Sequence, residues 1–150
     1  MRLQTAMQAQ KLGIFIRIGL GVVFLFSSAG KIVDPQAFMD IVAQYRLLPP
    51  TLVWATAVFL PWIEALCGLA LVSGRFVKGA ALLVSLMMVL FIAVTLYNGY
   101  RGLDVACGCF SVTARKPSNI ALNTLRDLFI LAAGLWVLYY THRPYPQKAR

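Results

Sequence analysis

Acidic residues are scarce: the 150-residue chain holds five Asp and Glu against fourteen Lys and Arg. Charged residues make up 13% of it, where a soluble domain carries about 25%. That excludes an ordinary water-facing globular surface. The fourteen basic residues are scattered between apolar runs and form no patch, which excludes a nucleic-acid interface and leaves them as orientation signals and headgroup contacts. Histidine occurs once and cysteine three times. Structural zinc takes four N or S ligands, and Cys67 and His142 fall near the opposite end of the expected bundle from Cys107 and Cys109, so no metal is expected. There is no internal repeat of the transporter kind, which argues against a transport cavity lined by Glu64, Arg126 and Asp127.

What the chain has is oil. Hydrophobic residues make up 60% of it, and the mean hydropathy is +0.76. The length suits one membrane domain. Four apolar stretches, 12–30, 51–73, 76–98 and 120–140, are each long enough to cross the ~30 Å hydrocarbon core as a helix at ~1.5 Å per residue. The first resembles a secretory signal, with small residues at Ser27, Ser28 and Ala29, but Arg17 interrupts its apolar core and the helix is expected to be retained. Between spans one and two, Asp34 can cap a helix that starts at Pro35. Phe38, Ile41, Val42 and Tyr45 then repeat as an apolar stripe, which predicts a short interfacial helix closed by Pro49 and Pro50. The fold class is therefore an all-α membrane protein, a four-helix antiparallel transmembrane bundle with a short interfacial helix between spans 1 and 2.

Charges inside the spans are the next feature, because each costs free energy unless paired, neutral or turned to the bundle interior. Arg17 can snorkel to the near interface or pair within the bundle. Glu64 lies three residues after Pro61, whose ring bends a helix and frees carbonyls of the preceding turn, so the two can form a site. Equally, Glu64 can be a buried carboxylate satisfied by Arg17 or Thr95. Arg126 and Asp127 are neighbours in sequence and point in different directions on a helix, so each is expected to find its partner elsewhere, Arg126 at Asp104, the adjoining loop or an acceptor on a bound ligand. Cys67 reads as a small buried hydrophobe.

The interval 99–119 is the one polar break late in the chain, and it holds Cys107-Gly108-Cys109. A disulfide across one residue closes a small strained ring, and Gly108 supplies the backbone freedom this requires. Such a bond is easily reduced and suits exchange. Arg101, Arg115 and Lys116 in the same interval favour the thiolate. The alternative is a bridge that only staples the loop.

Basic residues outside the hydrocarbon number seven on one side (Arg2, Lys11, Arg75, Lys78, Arg143, Lys148, Arg150) and five on the other (Lys31, Arg46, Arg101, Arg115, Lys116). The excess puts both termini in the cytoplasm and the cysteines outside, where thiols oxidise.

The chain resembles the MauE branch of the DoxX-like membrane proteins. The matching pieces are Phe26-Ser27-Ser28-Ala29-Gly30-Lys31 with Asp34-Pro35 and Phe38, Tyr45-Arg46-Leu47-Leu48-Pro49, Leu60-Pro61-Trp62-Ile63-Glu64 with Gly68, Cys107-Gly108-Cys109-Phe110, and Leu125-Arg126-Asp127. Ser28 and Ser111 stand where the family pattern has glycine. The resemblance implies a bacterial inner-membrane protein of methylamine utilisation. Its expected partners are a periplasmic thioredoxin-like protein and a disulfide-rich periplasmic client, the small subunit of methylamine dehydrogenase, whose maturation Cys107 and Cys109 would serve by thiol–disulfide exchange. The wider DoxX-like resemblance also makes a quinone conceivable, docked near Arg126, Asp127 or Glu64. A non-catalytic scaffold or chaperone, docking a client through the Phe38 helix and the cysteine loop, is the alternative from a different class.

Overall fold

The structure is a computed structural model that describes residues 2–102 and 120–142. Within them lie five helices: α1 (Arg2–Val33), α2 (Pro35–Gln44), α3 (Pro50–Ser73), α4 (Val77–Tyr100) and α5 (Ile120–His142). Four contain stretches long and apolar enough to cross a membrane, Lys11–Val33, Pro50–Ser73, Val77–Tyr100 and Ile120–Thr141. The first helix begins well before the expected span because nothing between Arg2 and Leu12 breaks it. It then runs on to Val33, where Asp34 and Pro35 start α2.

The four long helices form a ring in which α1 packs on α3 and α5, and α4 packs on α3 and α5. Successive long helices run in opposite directions, so every neighbour is antiparallel. The core at their centre gathers Leu20, Phe24, Cys67, Leu71, Val84, Met88 and Val137. Large apolar side chains also face outward from each long helix, among them Phe15, Phe26, Leu66, Leu86 and Phe129. In water so broad an apolar exterior would be a liability; in lipid it is the solvated surface.

Close packing at the ring depends on small residues, the usual device where lipid removes the hydrophobic drive between helices. A Cβ placed on Gly21 would lie 2.8 Å from the Gly68 carbonyl oxygen, and one on Gly68 would lie 2.8 Å from that of Gly21. The backbones of α1 and α3 therefore touch at this crossing. Gly134 makes room on α5 for a side chain of α4, where a Cβ would come within 2.8 Å of Ser85 Oγ.

The bundle has two distinct ends. At one, Gly74 turns α3 into α4 with φ of 78°, the guanidinium of Arg17 lies against that turn, and Tyr140 of α5 packs beside Gly13. Arg17 thus resolves its position by reaching toward the end of the bundle at which α1 begins. At the other end, Arg101 donates from Nη1 to the Tyr45 carbonyl at 3.5 Å and sits over the Tyr97 ring at 5.6 Å. Gly99 there packs beside Ile120, so the two ends of the interval 103–119 leave and rejoin the bundle side by side, next to the end of α2.

Candidate functional site

A buried ion pair joins α1 to α3. Lys31 Nζ donates to both Oε1 and Oε2 of Glu64 at 2.7 Å, and each side chain is 3% exposed. The geometry follows from the Gly21–Gly68 crossing. Lys31 lies ten residues beyond Gly21, about 15 Å up α1, and Glu64 four residues before Gly68, about 6 Å along α3 in the same direction. Side chains lean toward their own helix N-terminus, so in this antiparallel pair the lysine leans toward the crossing and the glutamate away from it until they meet. This corrects two expectations: Glu64 is satisfied by Lys31 instead of Arg17 or Thr95, and Lys31 is no interfacial loop residue but part of the bundle interior.

Helix α2 closes the outer side of this pair. Asp34 caps it by accepting from the Ala37 amide at 3.0 Å, Pro35 fills its first turn, and Phe38 and Ile41 are buried. The Phe38 ring centroid lies 5.1 Å from Lys31 Nζ, so an aromatic face meets the ammonium. The stripe expected of an amphipathic helix therefore packs on protein, chiefly α3.

A second pair lies on α5. Arg126 folds back on its neighbour, donating to Asp127 Oδ1 from Nε at 3.0 Å and from Nη2 at 2.8 Å. The expectation that adjacent residues on one helix would not pair is corrected here; an arginine is long enough to turn round its own backbone. Asp127 is 1% exposed, and its Oδ2 has no hydrogen-bond partner among the described residues.

Both pairs face one cavity of about 20 Å³ lined by Phe24, Ser27, Lys31, Glu64, Met88 and Asp127, among others. That volume holds about one water molecule. A quinone ring is larger than this space. Cys67 is buried on α3 and acts as packing, as expected. Asn98, at the loop end of α4, is 2% exposed, and neither of its side-chain polar atoms has a hydrogen-bond partner among the described residues. Sequence reasoning missed Lys31, although its signal was present: Leu20, Phe24, Ser28 and Lys31 share one face of α1 and all are buried. The cysteine pair Cys107 and Cys109, with Gly108, lies outside the described residues.

A helical ring with an apolar exterior and a charged interior node defines a multi-pass membrane protein. Its sequence matches the family model described as methylamine utilisation protein MauE over residues 9–140, and the chain belongs to that family. Among relatives, the methylamine utilization protein MauE of Methylophilus methylotrophus is 29% identical over 83% of this chain and 66% of its own length. Those of Paracoccus denitrificans and Methylorubrum extorquens are 29% identical (80% of this chain, 64% of the relative) and 31% identical (83% and 68%). The chain thus spans about two thirds of the length of these relatives. No solved structure matches it.

Proposed function

We propose that this protein is a membrane-held thiol–disulfide exchange partner in methylamine utilisation, with Cys107 and Cys109 as the reacting pair. The reading rests first on the Cys-Gly-Cys spacing in a chain of this family. The structural support is that the described residues flanking the interval come together at one end of the bundle, Gly99 beside Ile120 and Arg101 on the Tyr45 carbonyl at the end of α2. That end is taken to face the periplasm. With Lys31 removed from the outer tally, the charge count becomes seven against four, and the bias toward cytoplasmic termini grows.

The chemistry balances within the protein partners. A client thiolate attacks one sulfur of the Cys107–Cys109 disulfide, forming a mixed disulfide and releasing the other cysteine as thiolate. A second client thiolate then attacks the client sulfur of that mixed disulfide, closing the client's bond and leaving Cys107 and Cys109 reduced by two electrons. A periplasmic thioredoxin-like protein in its disulfide form restores the pair by the same two steps in reverse. Gly108 gives the backbone freedom to open and close the small ring. The client by family resemblance is the disulfide-rich small subunit of methylamine dehydrogenase.

The test is maturation of that subunit in cells carrying Cys107→Ser, Cys109→Ser or both. Loss of maturation in each single variant, with the membrane protein present at normal level, supports exchange. Full maturation in the double variant overturns it and leaves a scaffold that docks its client without redox chemistry.

A further inference from the structure

We propose that the cavity between α1, α3 and α5 is a binding site for one water molecule, which donates to Asp127 Oδ2 and joins the Lys31–Glu64 and Arg126–Asp127 pairs into a single charged network within the membrane. Asp127 Oδ1 accepts two hydrogen bonds from Arg126, while Oδ2, on the same buried carboxylate, accepts none among the described residues. An ionised carboxylate offers acceptors only, and a buried acceptor left unpaired in a low-dielectric interior is costly. The missing partner must therefore be a donor.

Size and charge select which donor. The cavity of about 20 Å³ exceeds the ~10–15 Å³ that one water needs and is far too small for a larger ligand. The titratable and charged groups facing it are Lys31 from α1, Glu64 from α3 and Asp127 from α5 with Arg126 bound to it; α4 contributes Met88 and Phe91, and α2 covers Lys31 with Phe38. With both ion pairs ionised the formal charges cancel, so the site favours a neutral ligand. A metal cation would compete with the Lys31 ammonium already seated there, and an anion would meet two carboxylates. The rest of the wall is mainly apolar, from Val23, Phe24, Met88, Phe91 and Ile130, and Ser27, Lys31 and Glu64 are the lining residues that can give the water its further partners.

The network would tie three helices together at one node. Asp127 lies seven residues, about two turns, after Ile120, where the chain re-enters the bundle. The water therefore fixes the height and rotation of α5 against the α1–α3 pair just below the end that carries the cysteine interval.

Infrared difference spectroscopy of the wild-type protein in lipid vesicles, comparing H2(16)O with H2(18)O, tests this. An oxygen-isotope-sensitive O–H stretch from a strongly hydrogen-bonded water is expected. It should move to higher frequency in Asp127→Asn, whose amide is a weaker acceptor, and also in Glu64→Gln. Absence of that band in the wild type overturns the proposal. So does a carboxylic-acid carbonyl band that Asp127→Asn removes, because Oδ2 would then be satisfied by its own proton.

Discussion

Lys31 and Glu64, 33 positions apart in sequence, form a two-pronged buried ion pair with both N–O distances at 2.7 Å. It ties α1 to α3, and Phe38 of α2 covers it. Removing one partner leaves the other charged and buried, which typically costs about 3–5 kcal/mol. Lys31→Met and Glu64→Gln should each destabilise on that scale, while the double variant should lose much less than the sum. Unfolding in detergent, read as a double-mutant cycle, measures the coupling; additive losses would mean that the two side chains do not depend on each other.

The Gly21–Gly68 crossing makes an independent prediction. Gly21→Ala puts a methyl 2.7 Å from Val72 Cγ2 and 2.8 Å from a backbone oxygen, an overpacking that should cost about 1–3 kcal/mol. Gly19→Ala, two residues earlier with nothing within 4 Å, should be neutral or gain up to about 1 kcal/mol. The same unfolding assay compares them, and equal effects would contradict the close approach.

Asp34 holds the start of α2. Asp34→Ala removes the acceptor for the Ala37 amide and should cost about 1 kcal/mol. Because Phe38 lies on the first turns of that helix, amide hydrogen exchange should rise at residues 37–41 first, before the long helices respond.

Sidedness is open to direct labelling. In a Cys67→Ala background, an impermeant maleimide applied to intact spheroplasts after mild reduction should reach Cys107 and Cys109. A thiol introduced by Arg75→Cys at the opposite end should react only after permeabilisation. The reverse pattern would place the cysteine interval in the cytoplasm and remove the oxidising compartment from the proposal.

The helices were legible because their causes are local. Apolar length marked the four long helices, and Asp34-Pro35 marked the start of α2. The pairing of charges was less legible. Lys31 sits at the end of an apolar run and looks interfacial until the register of α1 on α3 is known, and that register comes from a glycine contact 47 positions apart in sequence. Arg126 and Asp127 misled for a different reason: helix geometry separates adjacent Cβ atoms, but the arginine stem is long enough to cancel the separation.

The reduction potential of the Cys107–Cys109 pair, measured by thiol trapping of purified protein across glutathione buffers, tests the central claim most directly. An exchange-active pair falls between about −270 and −120 mV, and the account predicts a value in that range. A value below about −300 mV is that of a structural bridge; it would contradict exchange and leave the loop as a stapled docking surface.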